Sequence, residues 1–132
     1  MNIHTSHDIA LTLEAEQTPP VFIPLVELSE GSVLLESQSF LVWEGVPGPV
    51  AMRPVVAPAG TAMGTPATPL AAGALFHATA GTVPLGLAAG LPDLRPLAGV
   101  LGVTIDAGGT QPEALPAGAR LVGRVAMVTG AV

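Results

Sequence analysis

Polar and apolar positions alternate along Asp8-Ile9-Ala10-Leu11-Thr12-Leu13-Glu14-Ala15-Glu16. Ile9, Leu11, Leu13 and Ala15 fall on one face, and Asp8, Thr12, Glu14 and Glu16 fall on the other. A period of two marks a strand with one side buried. Thr18-Pro19-Pro20 ends it, and Val21 to Leu28 is a second extended apolar run. Pro24 lies inside that run and has no N–H for a ladder, so the run reads as an edge strand or an extended arm. Glu30-Gly31 marks a turn, and Val33 to Glu44, carrying Phe40 and Trp43, is a third strand. Gly45-Val46-Pro47-Gly48-Pro49 is the sharpest break in the chain.

Beyond the break, short apolar runs are separated by Gly and Pro: Val50 to Val56, Ala74 to Thr79, Val83 to Ala88, Leu97 to Ile105 and Ala119 to Val128. None carries the 3.6-residue period of a helix. Gly60 to Pro69, rich in Thr, Pro and Ala, is a loop. Ala107-Gly108-Gly109-Thr110 and Leu115-Pro116-Ala117-Gly118 are turns, with room for one helical turn at Glu113-Ala114. Short strands spaced by turn signals predict an all-β fold, a small barrel or sandwich.

Composition changes this picture in one respect. Charged residues make up 11% of the 132 positions against 49% apolar ones, less than half of the roughly 25% charge usual in soluble domains. Such a chain cannot cover itself with charge, so part of its apolar surface is expected to end against other chains. The 16 Gly and 14 Pro argue against long helices. Cys, Lys and Tyr are absent. That excludes disulfides, thiolate and Schiff-base chemistry, biotinyl or lipoyl attachment, and a Walker-A phosphate loop.

The formal net charge is −6, and its distribution is uneven. Asp8, Glu14, Glu16, Glu27, Glu30, Glu36 and Glu44 precede the break, with no Arg among them. After it come Asp93, Asp106 and Glu113 and all four Arg: Arg53, Arg95, Arg120 and Arg124. The division predicts an acidic N-terminal arm with strand segments over 1–48 and a small β domain over 49–132. Four scattered cations do not make a phosphate-binding face, so nucleic acid is not an expected partner. No basic region precedes an apolar run at the N-terminus, so no secretory signal is read. The apolar stretch Leu70 to Leu91 is interrupted by Gly73, Gly81, Gly86, Gly90 and Pro84, and no membrane span is expected there.

Candidate chemistry is sparse. His4-Thr5-Ser6-His7-Asp8 offers two imidazoles and a carboxylate, but a metal site needs three or four ligands on a rigid frame. The segment reads as a mobile polar terminus. His77, within Leu75-Phe76-His77-Ala78-Thr79, reads as a hydrogen-bonded strand residue. Its catalytic alternative needs a nucleophile and an orienting acid. Ser29, Ser32, Ser37 and Ser39 all lie in the front section, and none sits in a nucleophile elbow. The front-section glutamates, spread along alternating strands, read as a solvated or partner-facing surface rather than a carboxylate pair. Asp106 reads as a turn former. Trp43 is the sole Trp and has two readings, a core residue or an anchor docked on a partner. No catalytic residue, metal ligand or cofactor is assigned. The candidate partner interface is Ile9, Leu11, Leu13, Phe40 and Trp43.

From Thr68 to Arg124 the chain resembles the head decoration, or capsid cement, proteins of tailed phages, the lambda-type family. The resemblance is carried by Thr68-Pro69-Leu70, Val83-Pro84-Leu85, the run Leu97-Ala98-Gly99-Val100-Leu101-Gly102-Val103-Thr104-Ile105-Asp106-Ala107-Gly108-Gly109, and Leu115-Pro116-Ala117-Gly118-Ala119-Arg120-Leu121-Val122-Gly123-Arg124-Val125. It implies a small β-barrel or β-tulip-like domain of short strands. It also implies a homotrimer on the capsid exterior of a virion, made in the host cytoplasm, that clamps neighbouring subunits of the major capsid protein. The acidic section before the break is longer and more strand-like than that family's short arm. Two other readings stay open: another virion or tail structural subunit, and a small β-barrel ligand-binding module using His77 and Asp106.

Overall fold

The computed structural model of the chain describes residues 3–35, 38–46, 48–66, 68–78, 85–86, 94–107 and 113–130. Of the positions singled out above, Glu36, Ser37, Pro47, Thr79, Gly81, Val83, Pro84, Ala88, Gly90, Leu91, Asp93 and residues 108–110 lie outside the described residues. More than half of the described residues are in strands, and no α-helix is present among them. The strands form two antiparallel sheets. In sheet I the order is β1 (Ile3–Thr12), β10 (Arg120–Thr129), β4 (Phe40–Glu44) and β8 (Leu85–Gly86), and β3 (Ser32–Leu34) also pairs with β10. In sheet II the order is β2 (Val21–Leu28), β9 (Gly99–Ile105), β5 (Val50–Ala57) and β6 (Ala71–Ala72), and β7 (Phe76–Ala78) also pairs with β5.

The all-β expectation holds, as a pair of packed sheets that are not closed into a barrel. Closure needs β1 and β2, which end the two sheet orders, to share a ladder. No β1–β2 register exists among the described residues, and β2 carries Pro24 with an irregularity between Pro24 and Val26. Both features remove ladder hydrogen bonds. The reading of β2 as an edge strand is met.

Strand β1 starts at Ile3 and runs through His4 to Asp8, the segment read as a mobile terminus. Residues 3 to 12 pair in unbroken register with β10, from Ile3 opposite Thr129 to Thr12 opposite Arg120. Polar His4, Ser6 and Asp8 alternate outward along it, so a strand there buries little and leaves no apolar run in the sequence. Ile9 and Leu13 keep the expected inward phase and are buried. The section expected as an arm therefore supplies β1 to β4, and each of these pairs with β9 or β10 of the same chain.

The single strand expected over Val33 to Glu44 is two. Leu34 stands opposite Met127 and Phe40 opposite Arg124, so the intervening residues leave the ladder. Leu35 N–H still donates to the Ala126 carbonyl at 2.8 Å. The buried Ser39 hydroxyl accepts from Ala126 N–H at 3.0 Å and donates to the Leu35 carbonyl at 2.9 Å. Pro54 shapes β5 in a similar way. Its carbonyl accepts from Gly73 N–H at 2.7 Å, on the side where β6 stops and β7 has not begun. In an antiparallel strand the N–H and C=O of one residue point the same way, so the donor that proline lacks falls in that gap.

The main core lies between the sheets. Leu41, Trp43, Leu121 and Val125 of sheet I meet Ile23, Met52, Leu101, Val103 and Ile105 of sheet II, all essentially without exposure. A second small cluster, Phe22, Val55, Ala57 and Val100, occupies the other face of sheet II. The loop after β5 crosses that face, and Gly64 exchanges two backbone hydrogen bonds with Phe22, at 2.7 and 3.1 Å. The Phe22 ring lies so close over Gly102 that a Cβ there would come within 2.8 Å of it. The corner between β1 and β2 is tied to the approach to β10 by Leu13 N–H to the Ala119 carbonyl and Gln17 N–H to the Leu115 carbonyl, at 2.8 and 2.9 Å.

Candidate binding surface

The five residues expected at a partner interface separate by depth. Trp43 has no exposed area, and its indole N–H donates to the Met52 sulfur at 3.2 Å. Its interface-anchor reading is corrected. Trp43 sits on β4 with the inward phase of Leu41, so the ring fills the space between the sheets. Ile9 and Leu13 are core residues as well, and Leu11 packs half-buried against that core. All three are taken up by the chain's own fold. Phe40 alone among the five has the opposite phase, half-buried on the outer face of sheet I.

That outer face is ordered in cross-strand rows. Ala10, Val122 and Val42 form an apolar row across β1, β10 and β4. On one side lies the row Thr12, Arg120, Glu44, with the Arg120 and Glu44 side chains 3.9 Å apart. On the other lies Asp8, Arg124, Phe40, with Arg124 and Asp8 3.8 Å apart. Both pairs are largely solvent-exposed, so they contribute roughly 0–1 kcal/mol each and act mainly to neutralise the face. The result is a nearly uncharged apolar stripe between two compensated rows.

A different feature lies where β1 and β2 end their sheets. Between them runs an open groove of about 520 Å³. Thr5, His7 and Asp8 line it from β1, Glu27 and Ser29 from β2 and the turn after it, and Met127 from its floor. Beside it, the Ser32 hydroxyl donates to the Ser29 carbonyl at 2.7 Å and lies 3.3 Å from the Thr129 hydroxyl. Sequence reasoning missed this groove. The signal was the phase of alternation continued backward, since Ile3, Thr5 and His7 share the inward phase of Ile9.

The remaining candidates do not converge. His77 lies on β7, its backbone opposite Ala51 of β5, and its side chain is outside the described part of the structure. Asp106 follows β9, and its carboxylate lies 3.8 Å from the Arg53 guanidinium, which also donates to the Gly73 carbonyl at 3.0 Å. His4 is 3.3 Å from the Gln38 side-chain oxygen. Among the described residues no three His, Cys, Asp or Glu side chains gather as a metal site would require. Every buried side-chain nitrogen or oxygen described has a hydrogen-bond partner. Among the described residues no helix is long and apolar enough to cross a membrane. No family model, curated protein or solved structure matches the chain.

Proposed function

We propose that this protein is a non-enzymatic structural component of a tailed-phage virion. In this reading it binds the outside of the capsid as a homotrimer and clamps neighbouring subunits of the major capsid protein in the expanded shell. The observation that supports it most is the outer face of sheet I. Ala10, Val42 and Val122 are presented there between two neutralised ion-pair rows, with Phe40 at the end of one of them, on a chain with too little charge to cover itself. A face of that kind favours broad, weak contact, and weak contacts repeated over a shell bind through multivalency. The residues behind the family resemblance add support of a second kind. Residues 99–105 and 120–125 fall in β9 and β10, the central strands of the two sheets.

The test is co-sedimentation of purified protein with expanded shells that lack it, with immature shells alongside. Saturable binding to expanded shells alone, weakened by Val42→Asp, is the expected result. A folded, discrete protein that binds neither shell overturns the reading. Removing residues 1–18 is not a usable probe of binding, because it takes away all of β1 and the buried Leu13.

A further inference from the structure

We propose that the groove between β1 and β2 is a docking site for an extended, cation-bearing segment of another protein. In a two-sheet packing, the inward side chains of each strand are covered by the facing sheet. Ile9 and Leu11 obey this. Toward the start of β1 the inward positions are uncovered: Ile3 is 56% exposed, His7 is exposed and Thr5 is half-buried. The groove lies beside these uncovered positions, with Met127 among the residues that line it.

The strand edges beside the groove specify an extended occupant. Among the described residues β1 has no partner on its outer edge, and β2 has only Gly64, which exchanges two backbone hydrogen bonds with Phe22. Pro24 and the irregularity after it spoil β2 as a template, whereas β1 has no proline from Ile3 to Thr12. An extended segment therefore adds to β1, with backbone hydrogen bonds giving affinity and alternate side chains giving selectivity.

Charge specifies the rest. Glu27 lines the groove beside Asp8, whose carboxylate is already compensated by Arg124, and residues 3–30 include Glu14, Glu16 and Glu30 but no Arg or Lys. Glu27 has no ion pair among the described residues. A second copy of this chain would set β1 against β1 and bring like charges together. The chain has no Lys to offer, Arg53, Arg120 and Arg124 are already paired with acids, and Arg95 is engaged within the fold as well. The occupant is thus a foreign strand whose Lys or Arg side chains alternate with small apolar ones. The inference holds for any protein bearing such a segment and does not depend on the shell reading.

The experiment uses the full chain and a fluorescein-labelled peptide of about nine residues, a strand's length, alternating Lys with Val and Thr. Anisotropy should show saturable binding that weakens as salt is raised. Glu27→Lys should weaken it about tenfold, while Glu113→Lys, an equal charge change elsewhere, should alter it less than about twofold. Amide exchange should slow along β1 on binding. Any of four results overturns the proposal: no saturable binding, equal binding of a peptide with Glu in place of Lys, equal loss with Glu113→Lys, or self-association of the protein through β1.

Discussion

The indole N–H of Trp43 donates to the Met52 sulfur at 3.2 Å, and this contact joins the two sheets at their buried centre. Trp43 is on β4 and Met52 on β5, consecutive strands that the Gly45–Pro49 break sends into opposite layers. A large ring that must keep one polar hydrogen satisfied needs an acceptor in an apolar core, and methionine supplies a weak one without adding a charge.

Met52→Leu keeps the volume but removes the acceptor, so it should cost about 1 kcal/mol. Trp43→Ala empties the space between the sheets and should cost about 4 kcal/mol. Denaturant unfolding checks both, with the sole Trp as fluorophore for the first and circular dichroism for the second. Equal losses in the two variants would contradict this account.

Gly123 stands between Ile9 and Leu41 in the middle of sheet I, and a Cβ there would collide with the Phe40 carbonyl oxygen. The obstacle is backbone and cannot swing aside. Gly123→Ala should therefore destabilise by about 3 kcal/mol. Gly60→Ala meets no atom within 4 Å and bears only the strain of a φ of +84°, about 1 kcal/mol. Thermal melts of the pair should rank in that order.

Ser39 replaces a missing ladder residue. Its hydroxyl satisfies the Ala126 N–H, which the excursion between β3 and β4 leaves without a backbone acceptor. Ser39→Ala should strand that buried donor at a cost of about 2 kcal/mol, and native-state hydrogen exchange at Ala126 should accelerate with it. Unchanged exchange there would show that another group takes over.

Deletion of residues 1–12 should abolish cooperative unfolding rather than release an intact remainder. It removes the whole of β1 and strips β10 of a ten-residue partner. A sharp melt in the truncated chain would mean that sheet I stands without β1.

Much of the layout was legible from residue order alone. The phase of Ile9, Leu11 and Leu13 marked the buried side of β1, Pro24 placed β2 at an edge, and the Gly45–Pro49 break fell between two strands. The losses share a cause. His4 to Asp8 form a strand held by backbone pairing with little burial, and backbone pairing has no side-chain period to read. The split between β3 and β4 depends on one serine hydroxyl meeting a distant amide. Of the candidate interface, only Phe40 ended outward. Trp43 was ambiguous because an aromatic beside a break fits a core or a contact equally well, and only its phase on β4 decides. The groove needs two strands from different sheets to be seen together, which no local pattern encodes.

The pairing of β10 with β1, β3 and β4 sets an order of events on the ribosome. Sheet II has all its described strands once residue 105 has emerged, whereas sheet I lacks its central strand until residues 120–129 follow. Until then β1 and β3 wait unpaired and β4 has only the two residues of β8, and long-range strand pairing is slow and exposed to aggregation. Those waiting strands belong to the section that holds seven of the chain's ten acids. Like charge on those acids opposes association of copies in which β10 has not yet paired. The lopsided charge of the sequence thus acts before the fold exists, as a built-in solubiliser of an unfinished sheet.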